Sequence, residues 1–319
     1  MSRFGVVLGA GGVLGAAWTI GALRALEQTT GVDPRQAEVL IGTSAGSILA
    51  SFLGCGVSTE TLANHQAGVL VEGDPAIDYD YQHEGGGGLP PRPKLKLGST
   101  NLLVNATLHP WKVTPMAALS AVLPQGRGSL AAVGAMVDAV APDGPVAWAP
   151  HPRTWLVAMD YATGKRVPFG REGAPTARLA DAVMASCAIP GWYAPVVIGG
   201  RRYVDGGACS PTSLDLVSGA GLDIVYVLSP MTSFEYDEPA GVGARLERHV
   251  RRLVTRRLSR EAAKVRTTGT KVVLLGPGPA DLNAIGANLM DPRRRERVFD
   301  TSLRTSAAAL GAAELAAAG

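Results

Sequence analysis

The sequence predicts an α/β protein with a central, mostly parallel sheet flanked by helices and one inserted lid-like segment. Three observations carry this expectation. A unit of apolar strand, glycine turn and apolar helix appears twice within the first 53 residues, and such units build parallel sheets because the helix is the crossover between neighbouring strands. Strand-sized apolar runs recur at 155–159, 203–204, 224–228 and 271–275, far enough apart for helices to lie between them. A mean hydropathy of +0.15 with only 18% charged residues excludes a disordered chain.

The first unit must be separated from a membrane span, because Phe4 to Leu23 is uncharged and long enough to cross a bilayer. Six of its twenty residues are glycine. Its pattern changes midway from the β-like Phe4-Gly5-Val6-Val7-Leu8 to a helical run through Ala17, Trp18, Ile20, Leu23 and Leu26. It therefore reads as buried strand, glycine loop and helix, which Arg24 and Glu27 carry into polar positions. A cytosolic start is the expectation, and no later stretch reads as transmembrane. The second unit is Glu38 to Ile41, the turn Gly42-Thr43-Ser44-Ala45-Gly46, and a helix over Ser47 to Leu53.

Residues 74–125 read as a flexible, lid-like insertion, because Gly85 to Gly88 and Pro90, Pro91 and Pro93 make a poor core while Trp111, Met116 and Leu119 offer apolar contact. Regular structure resumes with Trp155 to Met159, a helix near Leu179 to Ala185, and the strands at 203–204, 224–228 and 271–275. Residues 244–266 read as one amphipathic helix, with Leu246, Val250, Leu253, Val254, Leu258 and Val265 at helical spacing among nine cationic positions. Its basic side fits a solvated face and an anionic membrane dock equally well. The expected organisation is a catalytic domain over 1–275 and a helical tail over 276–319.

Composition narrows the chemistry. A net charge of +3 is too small for the molecule to act as a polycation, so no nucleic-acid partner is expected. Cys55, Cys187 and Cys209 are widely spaced, with no CxxC pair, which suggests neither a disulfide framework nor a zinc site. The oligomeric state is not indicated.

Three places carry chemistry. Gly9-Ala10-Gly11-Gly12-Val13-Leu14-Gly15 lies between strand and helix, where backbone N–H groups face a positive helix end and favour an anion. Leu14 stands where a dinucleotide fingerprint needs glycine, and the lysine of a phosphate-binding P-loop is missing. A plain packing loop is the competing account. Gly42 to Gly46 is a GxSxG pattern after a buried strand and before a helix, which suits an exposed nucleophile at Ser44, although serine also caps helices. Asp205-Gly206-Gly207 follows the strand residues Arg202-Tyr203-Val204 and by itself is ordinary turn chemistry.

Together and in this order, the three blocks resemble the patatin-like phospholipases, a family of serine lipid acyl hydrolases. The segment Ala185-Ser186-Cys187-Ala188-Ile189-Pro190 is also similar to the family's stretch ahead of its aspartate. The resemblance implies Ser44 as nucleophile and Asp205 as the base of a Ser-Asp dyad. It implies an oxyanion hole from the amides of Gly11, Gly12 and Val13, with Gly9, Gly15, Gly42, Gly46, Gly206 and Gly207 as supporting motif positions. It also implies a lipid or phospholipid substrate and no metal or organic cofactor. One departure is Leu14, where the family carries Lys or Arg. The rivals are a His-dependent triad hydrolase and a noncatalytic lipid or nucleotide binder. None of His65, His83, His109, His151 and His249 stands in a glycine-flanked loop after a late strand, where a triad hydrolase places its histidine.

Overall fold

A computed structural model of the chain describes residues 2–69, 71–75, 92–94, 96–144, 147–235 and 241–318. The glycine and proline run 85–91 and His83 lie outside the described residues. The strands are β1 (Phe4–Leu8), β2 (Val39–Thr43), β3 (Thr154–Asp160), β4 (Arg166–Phe169), β5 (Val196–Ile198), β6 (Arg201–Asp205), β7 (Ile224–Leu228) and β8 (Lys271–Leu275). They form one sheet in the order β5-β6-β3-β2-β1-β7-β8, with β4 also on β3. Strands β3, β2, β1, β7 and β8 run parallel, while β4, β5 and β6 are antiparallel additions. The short β4 and β5 carry no sequence signal, since Pro168 interrupts one and Gly199-Gly200 closes the other.

Side chains alternate between the two faces of the sheet. Val6, Leu8 and Leu40 point into a core shared with α1 (Gly12–Thr30), α2 (Ala45–Gly54) and α7 (Leu179–Cys187). Val7, Val39 and Ile41 point the other way, against Leu258, Ala262 and Val265 of the long basic helix Val242–Arg266. Both faces are covered, so these strands are apolar throughout rather than alternating. Among the described residues no helix is long and apolar enough to cross a membrane.

The segment expected to be irregular carries two described helices, α4 (Thr100–Leu108) and α5 (Pro115–Val122). Their N-caps Ser99 and Thr114 accept the amides of Leu102 and Ala117 at 3.2 Å. Leu102, Val113, Ala117 and Ala121 pack with Met159, Tyr161 and Val204, and the Tyr161 hydroxyl donates to the Ser120 carbonyl at 2.7 Å. The serine and threonine ahead of short apolar runs, with Pro115 at the first helical position, were the available signal.

Helix α6 (Ala131–Asp138) follows, and α3 (Thr59–Gln66) precedes the insertion. The basic helix, α8, differs from its expected character at three positions. Arg248 and Arg251 turn inward, and Arg251, 1% exposed, donates to the Pro230 carbonyl at 2.5 Å. Glu261 is buried as well, accepting from Ser210 Oγ at 2.6 Å, Thr212 Oγ1 at 2.9 Å and the Leu214 amide at 3.1 Å. It thereby fixes the loop that follows Asp205-Gly206-Gly207. Helices α9 (Pro279–Ile285) and α10 (Arg295–Ala318) complete the chain. Helix α10 lies on α1 so closely that a Cβ at Gly21 would stand 2.7 Å from the Phe299 carbonyl, and Ser302 Oγ donates to the Trp18 carbonyl at 2.6 Å.

Candidate active site

Ser44 occupies the single residue between β2 and α2, with φ 54° and ψ −127°. A positive φ is costly for a residue with a side chain and persists only where the surroundings over-determine it. Here they do. The Ser44 amide donates to Ser186 Oγ at 2.9 Å, and that hydroxyl donates to the Val157 carbonyl at 2.6 Å. The Ser44 carbonyl accepts both the amide and the hydroxyl of Ser47, at 2.7 and 2.6 Å. The flanking glycines permit the crossing, since a Cβ at Gly46 would collide with the Leu8 carbonyl and one at Gly42 with the Gly46 carbonyl.

Strand register explains why Asp205 arrives at this point. Thr43 pairs with Val157, and Asp205 pairs with the next residue, Ala158. Strand β4 occupies the opposite edge of β3, and the Arg153 carbonyl and Tyr161 amide, an even number of residues apart, bond to β2 and β6 respectively. Thus β2 and β6 lie end to end along one edge of β3, running towards each other, and their last residues abut. The Asp205 carboxylate accepts the Gly207 amide at 2.7 Å, and it shares the wall of one pocket with Ser44, whose hydroxyl favours its charged form. Burial pushes its pKa up to about 6, with Ser44 and Gly207 offsetting part of the rise.

The glycine loop is anchored on both sides of its turn. Gly9 donates to the Leu228 carbonyl at 2.9 Å, Ala10 to Pro211 at 2.8 Å and Leu14 to Leu289 at 2.9 Å. Gly12 adopts φ 62°, which glycine alone tolerates without strain. The amides of Gly11, Gly12 and Val13 fall in the first turn of α1, where helix geometry supplies no carbonyl acceptor and the dipole favours an anion. Gly15 packs a Cβ-width from Pro230, and Leu14 is fully buried in the core.

Two apolar pockets meet at Ser44, sharing Gly12, Ile189 and Met290. The inner one runs between α1 and α2 towards α3 and α6. The outer one contains Asp205 and Gly207 and is walled by Met116, Leu119 and Leu123 of the insertion and by Val250 and Val254 of α8. His65 lines the inner pocket, His109 stands edge-on to Trp111, His151 bonds the Ala37 carbonyl, and His249 is exposed on α8.

A family model described as "Patatin-like phospholipase" matches residues 6–76 and 129–217, half of the chain. The chain belongs to the patatin-like phospholipase family. The patatin match covers the glycine loop, the Ser44 elbow and Asp205, and it breaks at 77–128, where the insertion with α4 and α5 lies. Among solved structures, VipD from Legionella pneumophila aligns with 96% of this chain at 13% identity and a TM-score of 0.41. This chain spans 66% of that protein, just under two thirds of its length.

In this patatin-like protein the buried Leu14 places no cationic side chain at that position of the loop. Sequence reasoning missed the supports of the site: Ser186 beneath the elbow, Glu261 behind the Asp205 loop, and the 289–290 segment over Gly12. Ser186 lies inside the segment that resembles the family, so its signal was present. For Glu261 the only signal was an acidic residue amid the cations of an amphipathic helix.

Proposed function

We propose that the protein is a serine hydrolase that cleaves acyl esters of lipids through an acyl-Ser44 intermediate. The observation that carries this reading is Ser44, held at a strained backbone position, facing the same pocket as the buried Asp205 carboxylate. As Ser44 Oγ attacks the ester carbonyl carbon, its proton passes to Asp205 and the carbonyl electrons move onto the oxygen held by the amides of Gly11, Gly12 and Val13. The oxyanion then collapses, the C–O bond to the alcohol breaks, and Asp205 returns the proton to the departing alkoxide. Water repeats the sequence on the acyl-enzyme, releasing the acid and restoring Ser44. No step requires a metal or an organic cofactor. The direct test is a small fluorophosphonate, expected to modify Ser44 as located by peptide mass spectrometry. Labelling elsewhere, or none in folded protein, overturns the reading.

Asp205 works as a base only when ionised. With its pKa raised to about 6, kcat/KM for a soluble ester should rise as pH increases through about 6 and level off above. A rate that is flat from pH 5 to 8 would contradict Asp205 as the base.

The same reading includes the insertion as a cover for the site and α8 as a contact with anionic membrane. Met116 and Leu119 are half-exposed yet line the outer pocket. Exchanging both for Ser should lower turnover of a phospholipid more than that of a p-nitrophenyl ester carrying the same acyl chain. On α8, Arg245, Arg252, Arg256 and Arg260 share the outer face, and half-exposed Leu253 lies between them and the pocket wall. Replacing Arg252, Arg256 and Arg260 with Gln in Ser44→Ala protein should weaken cosedimentation with phosphatidylglycerol-containing vesicles, the difference vanishing at high salt. Arg251 is unsuitable for this test because it is structural. Equal binding by both proteins would leave the face merely solvated.

A further inference from the structure

The two pockets that meet at Ser44 differ in their relation to Asp205. The outer pocket contains Asp205 and Gly207, and neither lines the inner one. When the C–O bond of the ester breaks, the proton that Ser44 surrendered must reach the departing oxygen, so that oxygen has to lie on the Asp205 side. The alcohol portion of the ester therefore occupies the outer pocket, and the chain on the other side of the carbonyl carbon enters the inner one. We propose that the inner pocket is an acyl-chain site for one unbranched chain of medium length, and that its depth sets chain-length preference. This inference rests on the reading of Ser44 and Asp205 given above.

The pocket's length is fixed by two helices that both start at the reacting centre. Helix α1 lines it with Gly12, Val13, Ala16 and Ile20, and α2 with Ala45, Ile48, Leu49 and Phe52. At 1.5 Å per residue, Gly12 to Ile20 and Ser44 to Phe52 each cover roughly 12 Å. A zigzag of carbon–carbon bonds about 1.5 Å long advances roughly 1.3 Å per carbon, so the pocket accepts about nine carbons.

The lining side chains grow bulkier away from Ser44. Small residues (Gly12, Ala16, Ala45) lie nearest Ser44, while the bulkier Ile20 and Phe52 stand two turns away and are almost wholly buried. Leu62 of α3 closes the far end, and α3 is tied there because Thr59 Oγ1 donates to Glu27, two turns beyond Ile20 on α1. Val133 and Met136 of α6 form the side. A chain longer than this path meets the buried Leu62, whereas the outer pocket is walled by the half-exposed Met116 and Leu119 of α5.

The experiment uses p-nitrophenyl esters from acetate to palmitate with the full chain. Wild type should turn over chains of about eight to ten carbons best, with a steep fall beyond about twelve. Ile48→Trp, one helical turn from Ser44, should lower the ratio of decanoate to acetate turnover about tenfold or more, and Phe52→Ala should move the optimum to longer chains. Leu119→Trp, in the outer pocket, should leave that ratio within about twofold. Folding is checked by circular dichroism and Tm for each variant. A ratio that responds to Leu119→Trp and not to Ile48→Trp places the chain in the outer pocket and overturns the proposal. A parallel measurement does not depend on catalysis: calorimetric binding of decanoate to Ser44→Ala, weakened about tenfold by adding Ile48→Trp. Wild type inactive on every ester would defeat the dyad reading, and decanoate binding would still decide whether this pocket takes the chain.

Discussion

Ser44→Ala and Asp205→Asn are each expected to reduce ester turnover by about a thousandfold or more, with the double variant hardly worse than either single one. A serine hydroxyl is a weak nucleophile until a neighbour takes its proton, and without the nucleophile Asp205 has nothing to activate. The two therefore act as a unit, and their losses do not add. Turnover of p-nitrophenyl butyrate by folded protein measures this, alongside single replacements of His65, His83, His109, His151 and His249, each of which should retain substantial activity. A histidine variant as inactive as Ser44→Ala, beside an active Asp205→Asn, would move the protein to the triad class. The aspartate variant should also separate function from stability. The folded-state pKa of Asp205 is raised from an ordinary 3.8 to about 6, so its contribution to stability is fully present below pH 4 and is lost as pH rises through about 6. Asparagine carries no such loss. The stability of Asp205→Asn relative to wild type should therefore be smallest near pH 4 and greatest above pH 6, changing by on the order of 2–3 kcal/mol in unfolding free energy.

Gly46→Ala is expected to prevent folding or to destabilise the protein by about 3 kcal/mol or more. The added methyl would meet the Leu8 carbonyl, a backbone atom of a central strand that cannot move aside without breaking the pairing of β1 with β2 and β7. Glycine here is a packing requirement, since its φ is not in the left-handed region. A control is Gly56→Ala, at the exposed turn after α2, where no atom lies within 4 Å of the added Cβ but φ is 89°. That variant should lose only about 1 kcal/mol, through backbone strain. Chemical denaturation of both variants checks the contrast, and similar losses would show that the close crossing of α2 over β1 is not what demands glycine.

Much of the fold was legible in the sequence because the strand, turn and helix units at 4–23 and 38–53 are local and strongly patterned. The motif blocks around Gly11, Ser44 and Asp205 were legible for the same reason. Their meeting was not, because it depends on consecutive residues of β3 pairing with strands that arrive from opposite directions, and register between distant segments leaves no local trace. Helices α4 and α5 escaped notice because each is short and the glycine and proline run before them dominates the composition. Periodicity showed which side of α8 faces inward. It could not show that Glu247, Arg251 and Glu261 occupy that side, because a charged residue at an inward position reads as an exception until its partners are known.

The anchoring of the glycine loop by the Leu289 carbonyl has a consequence for when the proposed site is completed during synthesis. Leu14 belongs to the first helix made, yet the acceptor for its amide and the Met290 side chain against Gly12 lie 275 and 278 positions later. Ser44 and Asp205 can meet once β6 has emerged, but the helix side of the glycine loop gains its anchor at Leu14 only after the chain beyond β8 has been made. A nascent chain therefore brings Ser44 and Asp205 together before the contacts of Leu289 and Met290 reach the glycine loop, and under the proposed function ester cleavage would await them.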